Sequence, residues 1–151
     1  MSDFQFAELT HSPERINVIA TKVGTAAVKL TDLDVKKAMK LADDGKSYIL
    51  AQDGDDLEGF LDNIDGGGTS GGFAFGGVAL GGSGFRVRVT VAAAQATALK
   101  VKDQVVAAAQ LAVGTKGLAQ VKQGEGVLDK YKVLRLYGNG TAGTDVLLVK
   151  I

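Results

Sequence analysis

One short segment, Phe85 to Val91 (FRVRVTV), constrains the fold of this chain more than any other. Its apolar residues alternate strictly with Arg86, Arg88 and Thr90. Because successive side chains of a β-strand point to opposite faces, this alternation predicts a strand with one buried and one solvated face. A half-buried strand needs partner strands beside it, so the segment indicates a β-rich protein.

Short strand-like runs recur through the rest of the chain. They are Arg15–Lys22, Val28–Leu30, Tyr48–Leu50, Leu57–Ile64, Val105–Val106, Leu118–Val121, Tyr131–Tyr137 and Val146–Ile151. Strands of about five to eight residues, with turns roughly every 8–12 residues, are typical of sandwiches and barrels. The sequence therefore predicts an all-β fold, a jelly-roll or barrel-like sandwich with an N-terminal arm and at most one short helix.

Two turn clusters predict β-hairpins. Asp53-Gly54-Asp55-Asp56 separates the third and fourth of these runs, and Gly138-Asn139-Gly140 separates the last two. Asp, Asn and Gly favour the local hydrogen bonds and positive φ angles that tight turns require. The secondary structure of two segments is left undecided by the sequence. Leu33–Leu41 fits a helix or a strand, and the Ala-rich Ala92–Lys100 fits a helix or a loop.

The length of 151 residues suits one domain with its own core. We interpret residues 1–39 as an N-terminal arm or first strands, and residues 40–151 as the barrel or sandwich core. A weak internal echo links VGTAAVKL at Val23 with VGTKGLAQVK at Val113. It is too short to indicate a repeat.

Composition narrows the function. Seventeen basic and 17 acidic residues give a net charge of zero, which argues against binding a nucleic-acid backbone and permits assembly with other proteins. The absence of cysteine excludes disulfides, thiol catalysis and zinc–thiolate sites. The N-terminus is not a typical signal peptide and no apolar run approaches about 20 residues, so we expect synthesis in a cytoplasm.

Several segments resemble motifs for nucleotide or calcium binding, but the residues around them do not fit those motifs. Gly66–Gly71 matches GxGxxG, but the glycine-rich sequence that follows cannot begin the helix that a dinucleotide site needs. Gly45-Lys46-Ser47 lacks the first glycine of a P-loop. The acidic Asp53–Glu58 segment departs from an EF-hand loop, which leaves a different calcium site as the alternative to a solvated turn. His11 is the single histidine. We therefore predict no enzyme, no cofactor and no metal.

Candidate protein-binding residues are aromatic or paired basic side chains. They are Phe4, Phe6, Phe73, Phe75, Arg86 and Arg88. Phe4 and Phe6 alternate in an N-terminal arm that could add to a strand of a partner or form the first strand of the domain's own sheet. Arg86 and Arg88 share a strand face that could meet an acidic partner or simply face solvent.

Several segments carry a resemblance to a known family. KLADDGKSYILAQDGDDLEGFLDNID, GGFAFGGVALGG, VVAAAQLAVGTKGLAQVKQGEG and YKVLRLYGNGTAGTDVLLVKI are similar to head decoration, or cement, proteins of tailed bacteriophages. The match runs from about Lys40 to Ile151. Its most specific pieces are Asp53–Phe60, Leu111–Lys122 and Gly140–Leu148. The helix-prone Ala92–Lys100 departs from the pattern.

The resemblance implies an all-β protein without catalytic residues on the outer surface of a virion capsid. It implies the major capsid protein and further copies of the chain, as a dimer or trimer, as partners. Two alternatives stay open: another virion structural module, such as a tail or fibre base, and a small β-barrel that binds a ligand. The absence of Trp makes a ligand cleft the less favoured of the two.

Overall fold

The computed structural model describes residues 16–25, 27–70 and 73–151. In these residues the regular structure consists of ten strands and one 3-10 turn at Asp32–Asp34. The strands are β1 (Ile16–Val23), β2 (Ala38–Leu41), β3 (Ser47–Leu50), β4 (Gly59–Ser70), β5 (Phe73–Gly81), β6 (Arg86–Val91), β7 (Gln104–Ala107), β8 (Gln120–Gln123), β9 (Tyr131–Leu136) and β10 (Asp145–Lys150).

The described strands form two closed five-stranded barrels that follow each other in the sequence. The first barrel has the order β1-β3-β2-β4-β5, and the second has the order β6-β8-β7-β9-β10. In each barrel the first strand runs parallel to the third, and the other neighbours are antiparallel. The second barrel therefore repeats the topology of the first, and the prediction of an all-β barrel is confirmed.

The register of the strands is also repeated. Equivalent cross-strand pairs of the two barrels are Val23–Tyr48 and Val91–Val121, Met39–Gly59 and Val105–Tyr131, and Leu61–Val78 and Val133–Leu148. A β-bulge follows the last of these pairs in both barrels and sets one residue out of register, Asp62 in β4 and Leu134 in β9. Because a slip of one residue would turn every side chain to the other face, a shared register is strong evidence of a structural duplication.

A tight turn before the second strand occurs in both barrels. In the first barrel, Val35 (φ −55°, ψ 140°) and Lys36 (φ 86°) form the centre of a type II turn, closed by a 3.2 Å bond from Lys37 N to Asp34 O. In the second barrel, Lys102 has φ 79° and Asp103 N bonds Lys100 O at 3.1 Å. Both turns place a lysine in the left-handed region, where the backbone of any residue with a Cβ atom is strained.

The two predicted hairpins have different outcomes. Strands β9 and β10 pair directly, as the Asn-Gly signal at residues 138–140 predicts. The hairpin predicted around Asp53–Asp56 is wrong, because β3 and β4 do not pair and β2 lies between them. Asp and Gly mark the place where the chain turns, but they do not select the strand that becomes its neighbour.

Other local predictions also change. Val28–Leu30 is not a strand, and Ala92–Lys100 forms turns and irregular structure without a helix. The ambiguous Leu33–Leu41 divides into the 3-10 turn, the type II turn and β2. The echo at Val23 and Val113 joins residues at different places, since Val23 ends β1 and Val113 lies between β7 and β8.

The structural boundary between the barrels falls in the connection of residues 82–85, between β5 and β6. The boundary interpreted from the sequence, between residues 39 and 40, runs through β2. Residues 16–39 contribute β1 and the start of β2 to the first barrel. Residues 1–15, the beginning of the segment 1–39 interpreted as an N-terminal arm or first strands, lie outside the described residues.

Each barrel encloses aliphatic side chains from alternating strand positions. Val23, Met39, Leu61 and Val78 are buried together in the first barrel. Their counterparts in the second barrel are Val91, Val105, Val133 and Leu148, and all four are also buried. Strand β6 alternates between half-buried and fully buried residues, which confirms the prediction from FRVRVTV. The core of the second barrel continues into the junction with the first.

Candidate interaction site

An aromatic cluster joins the two barrels. Phe60 points out of the first barrel and is fully buried, because its ring packs against the second barrel. Its centroid lies 6.3 Å from that of Phe85 and 6.1 Å from that of Tyr131, with an edge-on angle of 88° to the tyrosine. Aromatic pairs at these separations add to the free energy of burial. The described barrels therefore pack as one unit.

A buried ion pair secures a second contact between the barrels. Lys37 Nζ lies 2.5 Å from Asp34 Oδ1, and neither side chain is exposed. Lys37 Nζ also donates to the carbonyl oxygen of Ala112 at 2.9 Å, and Gly114 N donates to Asp34 Oδ1 at 2.9 Å. Both partners belong to the long connection between β7 and β8, so this second-barrel segment covers the type II turn of the first barrel.

The protonation of Asp34 follows from this environment. Burial on its own would raise the pKa of this carboxyl group. Hydrogen bonds from Lys37, from the backbone N–H of Thr31 and from that of Gly114 favour the carboxylate, as does the charge of Lys37, and together they hold its pKa below the ordinary value. A buried pair with this many partners fixes one arrangement of the two barrels.

The connection between β3 and β4, residues 51–58, makes further contacts with the second barrel. Gly54 N donates to Ala107 O, and Ala107 N donates to Asp55 O, each at 2.8 Å. Asp53 forms an ion pair of 2.7 Å with Lys122 of the second barrel. These bonds make the acidic segment a joint between the barrels.

The carboxylates of this acidic segment have separate partners. Asp55 pairs with Lys40 at 2.9 Å, while Asp53 and Asp56 contact the second barrel. Among the described residues, no group of three or more Asp, Glu or His side chains is arranged to hold a metal ion. Each of these three carboxylates is therefore engaged by a lysine or by backbone N–H groups.

An exposed apolar tip lies on the second barrel, in the connection between β8 and β9. We call Val127 and Leu128 the tip; they are 82% and 85% exposed. The carboxylate of Asp56 accepts hydrogen bonds from the backbone N–H groups of Val127 (2.9 Å), Leu128 (2.7 Å) and Asp129 (3.1 Å). A side chain at Gly126 would overlap the carbonyl oxygen of Asp129, so the turn is closely packed. The backbone of the tip is therefore held firmly while its side chains face solvent.

The pKa of Asp56 agrees with this role. Partial burial would raise the pKa of Asp56. The three backbone donors outweigh that effect, with a contribution from the charge of Lys130, and the pKa lies below its ordinary value. Asp56 is thus a carboxylate at neutral pH, which is the form that accepts hydrogen bonds most strongly.

A cleft of about 390 Å³ opens where the first barrel meets the β7–β8 connection. We call it the junction cleft. Its lining is mainly apolar and consists of Gly24, Thr25, Val28, Leu30, Ile49, Leu50, Ala51, Gln52, Asp53, Ala109 and Gln110. Val28 is 45% exposed at its edge, and Val28 N donates to Thr25 Oγ1 at 2.9 Å. The cleft has the size and the chemistry to enclose a few aliphatic groups.

The neutral chain is divided into two oppositely charged barrels. Residues 16–81 contain six Lys or Arg against ten Asp or Glu, which gives a net charge of −4. Residues 86–150 contain ten basic against four acidic residues, which gives a net charge of +6. The junction cleft lies mainly on the acidic barrel, and the tip lies on the basic barrel.

The predicted interface residues lie apart from the tip and the cleft. Arg88 forms an ion pair of 3.0 Å with Asp145 and stacks 4.1 Å from the centre of the Tyr137 ring. Phe75 lines an open groove of about 610 Å³ on the first barrel. Arg86 is half-buried beside Val87 on β6.

Phe73 begins β5, and its side chain lies outside the described part of the structure. Phe4 and Phe6 lie outside the described residues altogether.

Sequence reasoning missed the tip. Two adjacent aliphatic residues in a seven-residue connection that contains Gly124, Gly126 and three charged residues are a detectable signal, since turns are usually polar. Their exposure can be predicted only when it is known that β8 ends at Gln123 and β9 begins at Tyr131. The same knowledge is needed to place the boundary that divides the charges.

Comparisons with protein-family models, curated proteins and solved structures found no match. Within the described residues, no helix is long and apolar enough to cross a membrane.

Proposed function

We propose that this protein is a binding protein that decorates the outer surface of a tailed-phage head and bridges neighbouring major capsid subunits. It acts without catalysis and without a cofactor. The observation that carries a protein-binding role is the tip, an exposed aliphatic pair on a backbone fixed by three hydrogen bonds, which suits contact with a capsid subunit or with a second copy of the chain. The capsid as the partner rests on the resemblance of the sequence to decoration proteins.

The segments that carry the resemblance contribute to the two-barrel unit. Asp53–Phe60 contains the backbone hydrogen bonds to Ala107 and the ring of Phe60, which packs against the second barrel. Leu111–Lys122 covers the buried ion pair of Asp34 and Lys37. Gly140–Leu148 leads into β10. A protein that bridges subunits must keep its binding surfaces at a fixed separation, and these joints serve that need.

Many weak contacts suffice for such a role. A contact surface of modest area gives a weak complex for one copy. When a decoration protein engages two subunits at once, the second contact forms at a high effective concentration and the total affinity rises. Two rigidly joined barrels provide two such surfaces in one chain.

Binding to undecorated heads tests the proposal. Undecorated heads assembled from the major capsid protein of a tailed phage whose genome also encodes this chain are mixed with the purified chain, and the bound fraction is measured by sedimentation and by a density map. Saturation at a fixed ratio to the capsid subunits, with the two barrels outside the shell, is the expected result. Absence of the chain from sedimented heads at concentrations well above those of the subunits would refute the capsid role.

The predicted N-terminal arm has a separate test. Removal of residues 1–12 is expected to abolish binding to heads, with unfolding in urea unchanged because the two barrels remain. A truncated chain that decorates heads as well as the full chain would remove Phe4 and Phe6 from the interface.

A further inference from the structure

The tip and the junction cleft match in size and in apolar character. The tip presents an isopropyl group and an isobutyl group that project into solvent. The junction cleft is mainly apolar, and its volume of about 390 Å³ exceeds that of both groups together. The tip is exposed, so its side chains do not fill the cleft of their own chain.

One connection brings the two features close together on the molecular surface. Residues 51–53 line the cleft, and Asp56 holds the backbone of the tip. Asp53 and Asp56 are three residues apart, which limits their Cα separation to about 11 Å. A two-fold axis beside this connection can therefore place each tip at the cleft of the other copy, since such an axis pairs the same patch on both copies.

The charges favour the same arrangement. The tip belongs to the barrel with net charge +6, and the cleft belongs mainly to the barrel with net charge −4. A two-fold contact between tip and cleft sets the basic barrel of each copy against the acidic barrel of the other. Complementary potentials of this kind accelerate association and select the orientation of the partners.

We propose that two copies of this chain form a two-fold dimer in which Val127 and Leu128 of each copy enter the junction cleft of the other. This goes beyond the proposed capsid role, because it concerns contact between copies and holds in the absence of a capsid. Val28, at the edge of the cleft, and Leu128, at the tip, form the centre of the interface.

Sedimentation of the purified full chain over a range of concentrations tests the dimer. The wild-type chain is expected to pass from monomer to dimer as concentration rises, with a weaker association at higher salt because the charges are screened. Leu128→Asp and Val28→Asp are each expected to weaken dimerisation by roughly 30-fold or more, as the loss of a central interface residue does. Thermal unfolding confirms that both variants fold, since both residues are at the surface.

Matched controls place the same change elsewhere. Val101→Asp alters an exposed aliphatic residue of the second barrel (49% exposed), and Leu33→Asp alters one of the first barrel (48% exposed). Both controls are expected to dimerise like the wild type. Equal weakening by a control and by Leu128→Asp would overturn the assignment of the interface.

A mixture of the two site variants gives the sharpest result. The Leu128→Asp chain keeps an intact cleft and the Val28→Asp chain keeps an intact tip, so one of the two contacts can form between them. The mixture is expected to form a 1:1 heterodimer more strongly than either variant forms a homodimer. A mixture no more associated than its components would contradict the exchange of tips.

Other occupants of the tip give different outcomes. A wild-type chain that stays monomeric at every concentration overturns the dimer. If that monomer binds heads and Leu128→Asp removes the binding, the tip belongs to the capsid contact instead. Conversely, a dimer that forms as expected but fails to bind heads supports this inference and refutes the capsid role alone.

Discussion

The two barrels share one backbone plan but use its surfaces differently. The type II turn at Asp34–Lys37 is buried under the β7–β8 connection of the other barrel. Its counterpart at Lys100–Asp103 is exposed, with Val101 49% accessible, and the charges at the two ends of the turn are reversed. The strand order and register therefore do not depend on the surface residues, and a duplicated barrel is free to change its surface for a new contact.

The buried residues of the two barrels explain why both keep the same strand order and register. Equivalent inward positions carry aliphatic residues in both barrels, for example Leu61 and Val133, or Val23 and Val91. Outward positions differ, as in Phe60 of the first barrel and Lys132 at the same place in the second. Burial of apolar area stabilises each barrel, while the outward residues determine what each barrel contacts.

Replacing Phe60 is expected to have the largest effect on stability. Phe60→Ala empties the space between the barrels and should lower the free energy of unfolding by about 3–5 kcal/mol. Lys132→Ala at the equivalent place should change it by less than about 0.5 kcal/mol, because that residue faces the surface of the second barrel. Urea unfolding measures both. Similar losses would mean that Phe60 does not act as a wedge between the barrels.

Removing the cation of the buried ion pair comes next. Lys37→Met leaves Asp34 buried without its counter-ion, which should cost about 3–5 kcal/mol. Lys100→Met in the exposed turn is the matched change and should cost less than about 0.5 kcal/mol. The double variant Asp34→Leu/Lys37→Met should be more stable than Lys37→Met, because it leaves no buried charge. A double variant that is less stable than Lys37→Met would show that the hydrogen bonds of Asp34 with Thr31 and Gly114 outweigh the cost of its buried charge.

Acid should weaken the joints through Asp34 and Asp56. Both carboxyl groups have a lowered pKa in the folded chain, so the folded state releases these protons at a lower pH than the unfolded state does. The stability they contribute is present above the ordinary value of about 4 and is lost as the pH falls through the lowered folded values. Unfolding at a series of pH values should show this loss, and Asp34→Asn should reduce its slope. An unchanged slope would contradict the lowered pKa of Asp34.

The smallest expected effect tests the equivalence of the two turns. Lys36→Gly and Lys102→Gly each remove the backbone strain of a side chain at a positive φ angle. Glycine also gives the unfolded chain more freedom, which offsets part of the gain, so each change should raise the free energy of unfolding by about 0.5–1 kcal/mol. Lys36→Ala and Lys102→Ala remove the same side chains without relieving the backbone and should give no gain. A gain in one barrel only would show that the turns are strained to different degrees.

The sequence predicts those features that depend on neighbouring residues. Strand β6 follows from its alternation, and the β9–β10 hairpin follows from Asn139-Gly140. The partner of β3 could not be predicted, because β2 enters between β3 and β4 and no local signal specifies that pairing. Local turn chemistry is short-ranged, whereas strand order depends on contacts across the whole barrel.

The duplication and the interaction site could not be predicted from the sequence, because both require the bounds and the register of the strands. The turns share the pattern Leu-x-Val-Lys at 33–36 and 99–102, but four residues give little signal without the register of the strands. The opposite charges cancel in the whole chain and are found only after the boundary near residues 82–85 is known. The tip was missed for the same reason, since its exposure depends on where β8 and β9 end.

The pairing of the first and last strands of each barrel determines how the chain responds to tension. Ile16, at the start of β1, lies opposite Gly81, at the end of β5, and Arg86 lies opposite Val149 in the same way. A force that pulls on the two ends of a barrel is therefore applied to a single rung of a ladder. The rungs break one after another, as in a zipper, at a lower force than shearing all of them together requires. A chain built in this way withstands stress best when the force enters through the sides of its barrels and not along its backbone.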